Sequence, residues 1–171
     1  MRVIDNFINP DFIQGVLKEN IELNYSSVWK SNLGWQSEII KSSGIVLIRD
    51  LNSDQKENII EALISKNLLD TSLGFELEAH VYLWTKGSFI PWHADKEYED
   101  KVRFAATLYL NENWDIDWGG LFLYQSGKEI KAETPTFNKL IFNDENLPHS
   151  TTILADDADI RITVQLFWSY I

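Results

Sequence analysis

The chain has 171 residues, 44% of them apolar and 13% aromatic, with 26 acidic and 15 basic side chains giving a net charge of −11. A chain of this length buries roughly 68–70% of its unfolded surface, so it needs no staple to hold a core, and its composition excludes collagen-like, coiled-coil and low-complexity architectures. The absence of cysteine excludes disulfide frameworks, zinc ribbons, iron–sulfur clusters and thiol nucleophiles, which leaves His, Asp and Glu as the only metal ligands.

Only His80, His93 and His149 are available as imidazole donors. Binding a polyanion by counterion release needs clustered Lys and Arg, so the charge balance opposes nucleic acid and anionic membrane as partners. No apolar run reaches the roughly 18–20 residues of a membrane span, and the N-terminus turns polar at Arg2 and Asp5. The expected setting is the cytoplasm, with no signal or anchor.

In chain order, Asn9-Pro10 reads as a helix start, with Asn capping and Pro at the first helical position, where its missing N–H costs nothing. Phe12, Ile13, Val16, Leu17 and Ile21 follow at helical spacing. Residues 44–48 form a short β-branched run expected to be a buried strand. A second helix begins at Ser53-Asp54 and carries Ile59, Ile60, Leu63, Ile64 and Leu68 on one stripe.

Beyond residue 76 the pattern changes to short strands at 79–84, 103–110, 121–124, 129–132, 137–142, 150–153 and 161–169, separated by Gly- and Asn-rich turns. Such spacing argues a β-sandwich or barrel. The expected organisation is a single domain over 1–171, with a mostly helical support region over 1–75 packed outside a β core over 76–171.

His93-Ala94-Asp95 places an imidazole and a carboxylate at i and i+2, on one side of a strand or its end, where both can reach one ion. The triplet alone is a weak signal, since such a His can also cap a loop or fill a core. His149, after Leu147-Pro148, reads in isolation as a surface loop residue. Taken together, two His and one carboxylate match the facial triad of non-haem Fe(II) oxygenases, which leaves coordination positions open.

Residues 160–168 alternate with period two, setting Arg161, Thr163, Gln165 and Phe167 on one face and Ile160, Ile162, Val164, Leu166 and Trp168 on the other. Arg161 is therefore either at an exposed edge or paired with a buried anion. The upstream triad favours a guanidinium fork aimed at a carboxylate.

From Trp84 to Trp168 the chain resembles the double-stranded β-helix (jelly-roll) core of the Fe(II)/2-oxoglutarate-dependent dioxygenases, in the prolyl 4-hydroxylase-like branch. The resemblance rests on Trp84, Gly87, His93-Ala94-Asp95, Tyr109-Leu110-Asn111, Trp114, Gly119-Gly120, Pro135, Phe137, Phe142, Pro148-His149 and Arg161, in that order. It implies Fe(II) held by His93, Asp95 and His149, and 2-oxoglutarate with its distal carboxylate on Arg161, helped by Tyr109 and Thr163. It further implies O2 as oxidant and ascorbate as an accessory. One Asp on Fe(II) leaves a charge of about +1, the cosubstrate dianion reverses it, and Arg161 returns the site to near neutrality.

The implied activity is hydroxylation of an unactivated C–H, with succinate and CO2 as co-products. Related halogenases have a small residue where this chain has Asp95, so hydroxylation or oxidative demethylation is expected. A prolyl residue in a protein or peptide is the leading substrate. The alternatives are a free amino acid or other small molecule, a nucleobase, and a binding protein without activity. The nucleobase reading is opposed by the charge and by Phe167, where such enzymes have a second inward Arg; an intact triad with Arg161 opposes loss of activity.

Trp84 replaces a Tyr usual in this branch, and parity is taken to put nearby Tyr82 on the other strand face. Trp84, Trp92 and Arg103 are candidate substrate contacts. His80 is read as structural or surface, Asn111 as a turn residue, and Trp114 and Trp118 as packing. From His93 onward there are 14 acids against 7 bases, and the acidic loops 96–101, 112–117 and 156–159 are expected to rim the mouth and favour a neutral or basic substrate. The pattern leaves oligomeric state open.

Overall fold

The computed structural model describes residues 1–19, 26–27, 45–95 and 103–171, with Ser26, Ser27 and Arg103 described by backbone alone. The elements in chain order are β1 (Arg2–Ile4), α1 (Pro10–Glu19), β2 (Ser26–Ser27), β3 (Val46–Asp50), α2 (Ser53–Ser65), β4 (Phe75–Trp84) and β5 (Ile90–His93). They continue with β6 (Arg103–Tyr109), a single 3₁₀ turn (Ile116–Trp118), β7 (Phe122–Ser126), β8 (Glu129–Glu133), β9 (Leu140–Asn143), β10 (His149–Thr151) and β11 (Arg161–Tyr170).

Among the described residues the strands form two antiparallel sheets, of order β1-β9-β6-β11-β4-β3-β2 and β5-β10-β7-β8. This is the mainly β architecture expected from the strand spacing, in the jelly-roll form implied by the family resemblance, with both helices on the outside of the larger sheet. The first 75 residues supply more than helical support, because β1, β2 and β3 extend that sheet at both edges.

Period-two alternation decides which residues face the helices. Ala79, Val81, Ala106, Leu108, Val164, Leu166 and Trp168 pack as one buried cluster with Ile13 and Val16 of α1 and Ile59 and Leu63 of α2. Local capping fixes where each helix starts. Asn9 Oδ1 accepts from the Asp11 N–H at 3.0 Å, and Asn52 forms a reciprocal capping box with Gln55. The second helix ends at Ser65, earlier than its apolar stripe implies. Asn67 turns to φ +53°, and Leu68 reaches the core from beyond the helix end. Ile21 lies outside the described residues.

The opposite face of the large sheet looks into the barrel, and strand register stacks its side chains in rows. Arg161 lies opposite Trp84, and Thr163 lies between Tyr109 and Tyr82. Gln165 lies between Thr107 and His80, which in turn faces Asp50. Phe167 lies between Ala105 and Glu78. No helix among the described residues is long and apolar enough to cross a membrane.

Candidate active site

Two strands of the smaller sheet carry the histidines together. His149 opens β10 and is the register partner of His93, which closes β5, so the two rings stand with centroids 4.2 Å apart. Asp95, two residues past β5, brings its carboxylate to 3.9 Å from His93 Nε2 and 3.8 Å from His149 Nε2. One donor atom from each of the three lies within 4.8 Å of the others, a spacing that a single divalent ion can satisfy.

Backbone carbonyls set the ring orientation. His93 Nδ1 lies 2.9 Å from the Pro91 carbonyl and His149 Nδ1 lies 3.0 Å from that of Leu147. A carbonyl only accepts, so each Nδ1 carries the proton and each Nε2 lone pair is turned to the common point. Burial pushes the His93 pKa down, the nearby His149 pushes the same way, and the Pro91 carbonyl opposes both. The ring is thereby held in the neutral form that a metal requires.

The second half of the site is a buried cation. Arg161 is 1% exposed. Its guanidinium carbon lies 4.9 Å over the Trp84 ring and 5.4 Å from that of Tyr109, and one terminal nitrogen donates to the Gly120 carbonyl at 3.3 Å. Neither Arg161 Nε nor the Tyr109 hydroxyl, both shut off from solvent, has a hydrogen-bond partner, and no carboxylate pairs with Arg161 among the described residues. Burial pushes the Tyr109 pKa up to about 12, against the pull of Arg161, so the phenol keeps its proton and remains a donor. Burial also lowers the Arg161 pKa. A buried guanidinium beside an idle phenol hydroxyl is costly unless an anion completes it, and a carboxylate matches that donor set.

Neighbouring residues hold the fork in place. Gly120 has φ +64°, a conformation that favours glycine, and a Cβ there would crowd Arg161 Cδ at 3.3 Å and Trp114 Cζ2 at 3.2 Å. Asn111 is more than a turn residue: its side chain donates to the Ile160 carbonyl at 2.8 Å and accepts from the Ile162 N–H at 2.7 Å, clamping the backbone on both sides of Arg161. Thr163 is fully buried and accepts from Trp84 Nε1–H at 3.0 Å.

The other sequence candidates separate. Trp84 lies beneath Arg161, its ring 4.9 Å from the guanidinium carbon. Trp92 is 46% exposed beside His93, on the outside of the mouth. The Arg103 side chain and loop 96–101 lie outside the described residues. Tyr82 is not on the opposite face from Trp84: the two rings stack at 5.8 Å, because residues two apart on a strand share a face. The 156–159 insert follows β10 on the way to Arg161, with the Ala155 N–H bonded to the Trp118 carbonyl and Ala158 packed against the cluster that holds Tyr82 and Trp84.

Residues 77–169 match the sequence profile of the 2OG-Fe(II) oxygenase superfamily. The chain belongs to this family. It is accordingly a 2-oxoglutarate-dependent non-haem iron dioxygenase, with Fe(II), 2-oxoglutarate and O2 as its requirements. No curated protein sequence matches the chain significantly.

Solved structures of the family share the fold. A prolyl hydroxylase from Trichoplax adhaerens, in complex with a hypoxia inducible factor oxygen degradation domain peptide, is 17% identical, with TM-score 0.75 over 99% of this chain and 82% of that one. A Pseudomonas putida prolyl-4-hydroxylase is 18% identical, with TM-score 0.71 over 98% and 91%. HygX from Streptomyces hygroscopicus, with nickel, 2-oxoglutarate and hygromycin B bound, is 11% identical, with TM-score 0.71 over 98% and 81%.

Proposed function

We propose that this dioxygenase hydroxylates a prolyl residue of a protein or peptide, with His93, Asp95 and His149 holding Fe(II) and with Arg161, Tyr109 and Thr163 receiving 2-oxoglutarate. The observation that carries the site assignment is the buried, unpaired Arg161 guanidinium beside the unpartnered Tyr109 hydroxyl, within a barrel whose mouth bears the two histidines and Asp95. The prolyl substrate draws its support from the Trichoplax and Pseudomonas neighbours.

When bound, Fe(II) and 2-oxoglutarate supply the oxidation: one atom of O2 enters succinate as CO2 leaves, and the other enters the C–H bond as the new hydroxyl. The chain's own residues bind, orient and shield. The carbonyls of Pro91 and Leu147 keep both Nε2 lone pairs on the metal side. The Arg161 fork takes the distal carboxylate, the neutral Tyr109 hydroxyl donates to it, and the Trp84 ring and the Gly120 carbonyl hold the guanidinium. Burial of this end excludes water, so the charge-assisted bonds act at low local dielectric.

The test has two steps. Anaerobic addition of Fe(II) and 2-oxoglutarate should produce a weak visible charge-transfer band, lost in His93→Ala; a band that survives this substitution rejects the ligand assignment. Mass spectrometry should then find a +16 Da product on Pro-containing peptides. Turnover of free proline or another small molecule without a peptide product selects the second reading, a small-molecule hydroxylase, to which the HygX neighbour lends weight.

A further inference from the structure

His80 is the one histidine outside the proposed iron site, and the fold turns it inward. It shares a strand face with Tyr82 and Trp84, lies opposite Gln165 in the register, and is 5% exposed. Asp50 Oδ1 lies 2.6 Å from its Nδ1. A carboxylate only accepts, so Nδ1 carries the proton of this contact and Nε2 is the ring nitrogen left for another partner. That atom is buried without a hydrogen-bond partner, as are Arg161 Nε and the Tyr109 hydroxyl.

The location is on the metal side of the barrel. On the inner face of the large sheet, the row of Thr107, Gln165 and His80 lies between the Tyr109–Thr163 row and the row that ends at Asn143. Asn143 Nδ2 in turn lies 3.3 Å from His149 Nδ1. On the other side, Ile90 at the start of β5 packs against the buried cluster of Val46, Ile48, Tyr82, Trp84 and Leu154, and β5 reaches His93 three residues farther, about 10 Å along the strand.

Acceptors dominate this wall. Glu78 Oε2 lies 3.9 Å from His80 Nε2, too far for a hydrogen bond between them. Two carboxylates, Asp50 and Glu78, flank the ring, both largely open to solvent at 70% and 55% side-chain exposure. Acceptors backed by negative charge suit a positively charged donor.

We propose that His80, positioned by Asp50, is a substrate-recognition residue that accepts a hydrogen bond from a protonated amine of the substrate. The assignment rests on the oxygenase reading of the site and specifies one substrate feature: a cationic nitrogen close to the carbon that is oxidised.

The test uses matched pairs: a prolyl peptide with lysine beside the proline against its Nε-acetyl-lysine twin, and L-proline against N-acetyl-L-proline. The readout is stimulation of succinate formation over the substrate-free rate. In the wild-type protein at least one amine should stimulate about tenfold more than its acetylated twin, the worth of one hydrogen bond to a charged group. His80→Leu should bring the two within about twofold, chiefly through KM, and His80→Gln, which restores an acceptor, should recover part of the preference.

Equal stimulation by both members of each pair, stimulation by none, or a preference that survives His80→Leu overturns the proposal. 2-Oxoglutarate affinity, read from the charge-transfer band, separates the two readings. Its absence in the wild-type protein rejects the oxygenase site, whereas its loss only in His80→Leu shows a merely structural histidine and rejects the amine assignment.

Discussion

Arg161 is the residue whose surroundings make least sense without a ligand. Its charge is buried, one nitrogen is spent on the Gly120 carbonyl, and Nε has no partner. Hydrogen bonds to charged groups contribute about 1.5–3 kcal/mol, so Arg161→Ala should raise the 2-oxoglutarate dissociation constant roughly 10- to 100-fold. Arg161→Lys should recover only part of this, because an ammonium cannot reproduce the planar fork. Tyr109→Phe should cost about tenfold or less. A titration of the anaerobic Fe(II)–cosubstrate band checks all three, and unchanged affinity in Arg161→Ala rejects the assignment.

His93 yields a prediction with a definite sign. Its folded pKa is below the ordinary histidine value of about 6.5, through burial first and His149 second. Metal binds the deprotonated ring, so affinity at this ligand should hold on acidification through 6.5 and fall only below it. In the metal-free protein the unfolded chain takes up the proton first. The stability contribution of neutral His93 is therefore fully present above 6.5 and is lost as the pH falls through the lower folded value. Denaturant melts of the apoprotein from pH 8 to 5 should show this decline, and His93→Gln should flatten it; an unchanged slope in the variant would assign the decline to other groups.

At the scale of elements, the site depends on how strand ends are tied. Asn111, just past β6, bonds to the backbone on both sides of Arg161, so Asn111→Ala should loosen the start of β11. The expected result is a loss of about 1–3 kcal/mol of stability and a several-fold weaker cosubstrate affinity, measured by denaturant melts and band titration. A loss of stability with unaltered affinity would show that β11 is positioned by its neighbours alone.

Strand β5 was not legible in the sequence. Ile90, Pro91 and Trp92 lack alternation, and Pro91 argues against a strand interior; only the pairing with β10, His93 with His149 and Ile90 with Thr151, makes the segment a strand. The edge strand β1 is too short for a period to show. Strand β11 was legible because one of its faces is apolar against helices and the other polar toward the cavity, which produces clean alternation.

At the scale of the molecule, the helices are scaffold. Ile59 and Leu63 on α2 and Ile13 and Val16 on α1 pack against the outer face of the large sheet, the side away from Arg161. Leu63→Ala should therefore cost about 2–5 kcal/mol and lower the melting temperature, while the folded fraction binds 2-oxoglutarate as the wild type does. A weakened cosubstrate site at temperatures where Leu63→Ala remains folded would show that the outer layer also sets the geometry of the cavity.

The sequence by itself determined the chemistry available to this protein. With no cysteine and three histidines, the donor set was restricted, and the ordered spacing from Trp84 to Arg161 matched one family of oxygenases. It also determined the strand faces, because alternation is local.

Tertiary structure decided what depends on partners distant in the chain. It turned His80 inward and set Asp50 on its Nδ1, made Asn111 a clamp, packed Ala158 of the acidic segment against the Trp84 cluster, and left Arg161 Nε and the Tyr109 hydroxyl buried without hydrogen-bond partners. These outcomes follow from strand register and sheet closure, which join residues 30 to 80 positions apart through pairings that no local pattern encodes.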